Sequence, residues 1–276
     1  MITTYHRPET LDEALTLLTQ PNVIPLGGGT LLSHSTTDPV EVVDLQSLGL
    51  DTVKKQGSSL EIGATVTLQG LFESEHCPDP LKSALKLEAP LNIRNAATVA
   101  GTLVAGDGRS AFATTLLALD AKLEIQGIDE FELAAMETES RPPKQQVTTL
   151  GIGEFLPMRS DHIQGRLITS IIIPLNVKLA FDYVSRTPSD KPIVCAALVQ
   201  WNSGRTRLAL GGYGKSPMLA MDGTEAEGAS TTDYVLRSAQ AAARNAFHEA
   251  TDEWASAEYR MDVAATLVKR CLESIR

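Results

Sequence analysis

From Thr10 onward the chain places Leu11, Ala14, Leu15 and Leu18 at spacings i, i+3, i+4 and i+7, the signature of a helix with one apolar face. Thr10 at its start with Glu13 three residues on has the form of an N-terminal capping box, and Pro21-Asn22 stops the run. The period then shortens. Residues 23–26 (V-I-P-L) and 41–45 (E-V-V-D-L) read as short strands, so the opening stretch is expected to be a small strand-helix-strand lobe. A further strand begins at 60–62, and helices are expected over 68–72 and 81–87, the second closed by Pro90.

Residues 112–119 form an apolar helix in which Leu116, Leu117 and Leu119 read as core, and 122–125 read as a strand. The polar stretch 137–146, with Arg141-Pro142-Pro143-Lys144, reads as an exposed loop. A strand over 167–173 ends at Pro174, where the texture changes and a domain boundary is expected. Past it, 181–184, 193–201 and 206–210 read as three strands joined by short turns such as Asn202-Ser203-Gly204, followed by long helices over 234–248 and 258–275. Val263, Leu267, Cys271 and Ile275 form one apolar stripe in the last helix, expected to pack into the domain's own core. The expected class is α+β, with a first domain over 1–174 in lobes of about 1–55 and 56–174, and a small C-terminal domain over 175–276 built on a three-stranded antiparallel sheet with helices.

Two glycine-rich stretches interrupt this pattern. Residues 23–32 run V-I-P-L-G-G-G-T-L-L, and 92–110 run N-I-R-N-A-A-T-V-A-G-T-L-V-A-G-D-G-R-S. Small residues let main-chain N–H groups approach an anion closely, and a following helix adds its positive end, although the same glycines also suit plain turns. Neither stretch is a known phosphate signature. The third glycine of the dinucleotide fingerprint falls on Leu32, and Asp107 stands where a P-loop places its lysine. Gly214-Lys215-Ser216 has the end of a P-loop, but Ala209 occupies the position of its first glycine.

Composition narrows the class further. The 276 residues carry a net charge of −10 with no Lys/Arg-rich run, which argues against nucleic acid as a partner. Cys77, Cys195 and Cys271 are few and widely separated, as expected of reduced thiols in a cytoplasmic protein, and no metal or iron–sulfur site can be assembled from them. No signal peptide and no membrane span is expected. No nucleophile elbow, histidine pair or carboxylate pair stands out for acyl transfer or metal-dependent hydrolysis.

The two glycine stretches, in this order, resemble the paired flavin-binding loops of the medium, FAD-binding subunits of molybdenum hydroxylases, such as those of carbon monoxide and xanthine dehydrogenases. Residues 27–32 are similar to that family's A-G-G-T-D-L, and 93–103 to its I-R-N-x-x-T-I-G-G-N-L, with Asp107 matching a following acid. Tyr5-His6-Arg7-Pro8, Val43-Asp44-Leu45, Glu61-Ile62-Gly63-Ala64, Leu210-Gly211-Gly212 and Ser256-Ala257-Glu258-Tyr259-Arg260 extend the resemblance over nearly the whole chain. It departs at Leu31, Ala96, Ala100 and Thr102, where the family has aspartate, arginine, glycine and asparagine.

The resemblance implies a two-lobed FAD-binding domain of the vanillyl-alcohol-oxidase type, and FAD as cofactor. The site it implies is Leu26, Gly27, Gly28, Gly29, Thr30 and Leu31 from the first loop, with Thr98, Ala100, Gly101, Thr102 and Asp107 from the second. It also implies an electron-transfer subunit that works between an iron–sulfur small subunit, beside a molybdenum-cofactor large subunit, and an acceptor such as NAD or a quinone. The alternatives are an assembly module of the same fold with lost or weakened FAD binding, or a free-standing flavin oxidoreductase.

Overall fold

The Thr10 hydroxyl accepts the Glu13 N–H at 3.3 Å, so helix α1 (Leu11–Leu18) starts at its expected cap. The Glu13 carboxylate reaches one residue beyond the usual box and takes the Glu9 N–H at 3.1 Å. The structure, a computed structural model, describes residues 1–32, 39–128, 145–188, 190–224 and 232–275. In it α1 buries Ala14, Leu15 and Leu18 against a parallel sheet of order β1 (Ile2–His6), β3 (Val40–Asp44), β2 (Val23–Leu26). Strand β1 is an addition to the expected lobe. Its first four residues are all exposed, so no apolar alternation marks it, and it is held by its ladder to β3 and by hydrogen bonds from Tyr5 to Asp44 and between His6 and Glu41.

The second lobe is a five-stranded antiparallel sheet of order β4 (Val53–Gln56), β5 (Ser59–Gly63), β8 (Arg166–Pro174), β6 (Lys122–Ile128), β7 (Gln145–Gly151). Its helices are α2 (Leu68–Glu73), α3 (Asp79–Glu88), α4 (Leu91–Arg94), α5 (Val99–Ala105), α6 (Ala111–Ala118), α7 (Ile152–Phe155) and α8 (Arg159–Ile163). Leu60, Ile62, Leu123, Ile171 and Ile173 of the sheet meet Leu71, Leu85, Leu103, Phe112 and Leu116 of the helices in one buried cluster. Gln145 and Gln146, expected in a loop, open the edge strand β7, while 137–144 lie outside the described residues. The glycine-rich stretch 92–110 is largely helical. Arg94 pins its start through Ala89 O (2.8 Å) and Gln69 (3.0 Å), and Thr98 caps α5.

The C-terminal sheet has four strands, not the expected three: β12 (Met218–Thr224), β11 (Arg205–Gly211), β10 (Val194–Trp201) and β9 (Val177–Val184), in that order and antiparallel. The missed strand β12 is an edge with no fully buried residue, so neither alternation nor an apolar run announces it. Helices α9 (Thr232–Ala246) and α10 (Ala257–Ser274) lie along one face, where Leu267, Cys271 and Ile275 join Val194, Ala196 and Leu198 in a common core. The opposite face of β10, through Ala197 and Val199, joins the core of the second lobe, and every residue of α6 is buried at that junction. Gly108 sews the halves together: its N–H donates to Gly214 O at 2.9 Å and its carbonyl accepts from Gly212 N–H at 2.7 Å. Asp120, just past α6, adds ion pairs to Arg205 and Arg207 at 3.0 and 2.9 Å.

Candidate functional site

Strands β2 and β3 run parallel and end side by side, Leu26 opposite Asp44. The chain leaving these carboxyl ends forms one wall of a cleft of about 660 Å³, lined by Leu26, Gly27, Gly28, Gly29 and Gln46. Buried Asp44 fixes this wall by accepting the Gln46 N–H at 3.0 Å and the Tyr5 hydroxyl. Thr65, Thr67, Asn95, Ala96 and Thr98 line the cleft from the second lobe, and Asp51 lines it from the segment that crosses between the lobes.

The second wall is two helix starts locked together. Leu68 N–H donates to Ala97 O at 2.9 Å and Val99 N–H to Val66 O at 2.8 Å, which pairs Thr67 with Thr98 in an antiparallel bridge. Each threonine caps its own helix, Thr67 by accepting from Gly70 N–H (3.0 Å) and Thr98 from Gly101 N–H (3.1 Å). Partial positive charge at both starts therefore collects beside the cleft.

The two glycine stretches touch. A Cβ on Gly28 would lie 1.6 Å from the Ala96 carbonyl oxygen, and one on Gly27 would lie 2.8 Å from Thr98 Oγ1. A Cβ on Gly29 would meet only Leu26 Cδ1, at an ordinary 3.5 Å, but its φ of +68° is a conformation that favours glycine. Among the described residues no hydrogen bond uses the N–H groups of Gly27, Gly28 and Gly29. Among the described residues the cleft is thus lined by main-chain groups, hydroxyls and the Asn95 amide, with Asp51 as its one charged residue. Such a donor set fits a ligand whose phosphates each carry a single charge and whose sugar hydroxyls need polar partners.

Of the residues expected from the sequence, Leu26, Gly27, Gly28, Gly29 and Thr98 come together in the lining. Thr30 follows the lining residues directly in the chain, and Leu31 is 56% exposed outside it. Ala100, Gly101 and Thr102 stand behind Thr98 in the first turns of α5, where Ala100 N–H donates to Ala64 O at 3.2 Å and the Thr102 hydroxyl to Thr98 O at 2.8 Å. Asp107 lies beyond the other end of α5, about 10 Å along the axis at 1.5 Å per residue. There it accepts from Arg109 N–H at 2.9 Å and from Lys191 at 3.4 Å.

Sequence reasoning missed Gln46, Asp51, Thr65, Thr67, Asn95 and Ala96. A local repeat could have found the Thr67 wall: Thr67-Leu68-Gln69-Gly70 and Thr98-Val99-Ala100-Gly101 share a threonine cap with glycine three residues on. The cysteines play no part. All three are free and buried, and burial pushes each thiol up to about 12, which leaves them unreactive. Among the described residues no group of His, Cys, Asp or Glu could hold a metal ion, and no helix is long and apolar enough to cross a membrane.

Residues 1–176 match the family described as the FAD binding domain in molybdopterin dehydrogenase, and 179–275 match the CO dehydrogenase flavoprotein C-terminal domain. The uncharacterized protein YgfM of Escherichia coli K12 is 30% identical over 80% of this chain and 79% of its own length. The carbon monoxide dehydrogenase medium chain of Afipia carboxidovorans is 26% identical over 98% of this chain and 95% of its own. The solved structure of Cu,Mo-CO dehydrogenase in its cyanide-inactivated form shares the fold, with a TM-score of 0.76 at 24% identity over 100% of this chain and 98% of that one. The chain therefore belongs to the FAD-binding flavoprotein subunits of the molybdopterin dehydrogenase family, with FAD as its cofactor.

Proposed function

We propose that this chain is the electron-transfer flavoprotein of a multisubunit molybdenum hydroxylase, holding FAD between a partner's iron–sulfur clusters and a terminal acceptor such as NAD or a quinone. The observation that carries the reading is that Gly27, Gly28 and Gly29, whose N–H groups make no hydrogen bond among the described residues, line one cleft together with the capping threonines Thr67 and Thr98. These groups and Thr98 hold the pyrophosphate region, with Thr30 beside them, while Asn95, Gln46 and Thr65 serve sugar hydroxyls. Asp107 serves a part of the cofactor extending along α5. When bound, FAD supplies redox chemistry that can exchange one or two electrons. The protein's own part is to hold and orient it and to limit access of water.

The departures from the family pattern do not obstruct the cleft: Leu31, Ala100 and Thr102 lie outside its lining, and Ala96, which lines it, is smaller than the family's arginine. The medium-chain relative and the molybdenum named in the solved structure support an iron–sulfur small subunit and a molybdenum-cofactor large subunit as partners. Buried free thiols suit work in the cytoplasm. The test is to express the chain alone and together with the two partner subunits. Stoichiometric FAD released on denaturation, and recovery of a three-subunit complex reducible by its substrate, are the expected results. A folded chain that neither retains nor rebinds FAD overturns the reading.

A further inference from the structure

We propose that Arg94 is a positioning residue for the cofactor: without touching it, the guanidinium sets where the Asn95 amide stands in the cleft. The inference rests on the FAD reading above, in which Asn95 serves sugar hydroxyls. Helix α4 is a single turn, and none of its four residues is buried. One turn has too few internal hydrogen bonds to hold itself, and this one has no buried face to anchor it. Asn95 follows it directly and lines the cleft, and its side-chain amide has no hydrogen-bond partner among the described residues. The amide is therefore aimed by the backbone that carries it.

That backbone is tied down by the Arg94 side chain. Its Nε donates to Gln69 Oε1 on α2 at 3.0 Å. One terminal nitrogen donates to Ala89 O at 2.8 Å and to Lys86 O at 3.4 Å, carbonyls that the end of α3 leaves without helical partners. The guanidinium also lies over the Phe72 ring of α2, 5.7 Å from its centroid. One side chain thus fixes a single turn to two helices while staying out of the lining itself. Thr67, two residues before Gln69, lines the same cleft, so the Arg94–Gln69 bond also fixes the spacing between Thr67 and Asn95. A lysine in its place would keep the charge, but a single ammonium cannot reproduce the planar fork that reaches α2 and α3 together.

The test measures FAD affinity of the full-length apoprotein by fluorescence quenching, and the melting temperature of each variant. Arg94→Lys keeps the positive charge, and Gln69→Met removes the acceptor at the other end of the bond. Each should weaken FAD by about threefold to tenfold, as should Asn95→Ala. Action through Asn95 is read in the double variants. On an Asn95→Ala background, Arg94→Lys and Gln69→Met should change FAD affinity by less than about twofold, while their effects on melting temperature persist in full. Losses that multiply in the double variants would show a general structural role and overturn the inference. So would unchanged FAD affinity in Asn95→Ala, or in both Arg94→Lys and Gln69→Met. The two variants cut one bond from opposite ends, so if one fails to fold, the cycle on the other decides. Failure of the wild type to bind FAD at all would instead refute the reading on which the inference stands.

Discussion

Replacing Gly28 by alanine tests whether the two glycine stretches are packed against each other or merely near each other. The added Cβ would lie 1.6 Å from Ala96 O. An ordinary contact is about 3.5 Å, so the stretches must part by roughly 2 Å. The Ala96 carbonyl cannot easily yield. Ala96 and Ala97 N–H both bind Ile93 O, at 3.0 and 2.7 Å, and Leu68 N–H holds Ala97 O at 2.9 Å. On the other side, Leu26 is fixed by its ladder to Asp44 and by Leu45 N–H at 3.2 Å. Forcing atoms into such a site costs about 1–3 kcal/mol, which for a chain of this size lowers Tm by roughly 2–12 °C. Because the parting opens the cleft itself, FAD affinity should fall at least about tenfold. Gly29→Ala is the matched control, because its Cβ would meet only Leu26 Cδ1 at 3.5 Å and its φ of +68° is the sole source of strain, worth about 1–2 kcal/mol. Differential scanning calorimetry and FAD titration of both variants give the answer. If Gly28→Ala melts with the wild type and keeps FAD, or if Gly29→Ala is the weaker binder, the packed-loop account is wrong.

Two further outcomes follow from buried charge. Glu88 is partly buried, with its carboxylate turned inward to accept from the Ser110 hydroxyl and Phe112 N–H, both at 2.9 Å, and burial raises its pKa. A raised carboxyl pKa contributes stability below the unfolded value, about 4.3, which is lost as pH rises through the folded one. The melting temperature of Glu88→Gln relative to wild type should therefore improve from pH 4 to pH 8, and a constant difference would refute the assignment. Arg260 is fully buried and binds Ala250 O (2.6 Å), Ala255 O (2.9 Å) and both Asp252 oxygens (2.7 and 2.9 Å). Arg260→Ala should cost about 3–5 kcal/mol in urea unfolding, and a loss below about 1 kcal/mol would show that Asp252 and the carbonyls find water instead.

What was legible in the sequence was whatever buries one face. The 3.6-residue repeat of Leu11, Ala14, Leu15 and Leu18 and the apolar run of 193–201 appear as helix and strand near their expected bounds. Strands β1, β4, β7 and β12 were missed or misread because each lies at a sheet edge and buries little, so the ladder rather than the side chains defines it. In the site, the first glycine stretch was legible because Gly27, Gly28 and Gly29 are contiguous. Asp51 and Thr67 were not, because they reach the cleft through the crossing between lobes and through the bridge from Thr67 to Thr98, neither of which leaves a local period. Asp107 stands beyond the far end of α5, outside the cleft lining, because 99–105 form a helix that their small residues do not advertise.

Helix α6 has no solvent face: one side meets the second lobe and the other meets β10 and β11. Sequence families divide this chain near residue 176, yet the helix that fills the junction is encoded wholly before that point. A fragment truncated there would carry an uncovered apolar surface, and the complementary fragment would lack the wall against which Cys195, Ala197 and Val199 pack. Recombination that exchanges C-terminal domains among relatives must carry a matching α6, or yield a chain that aggregates before it meets any cofactor.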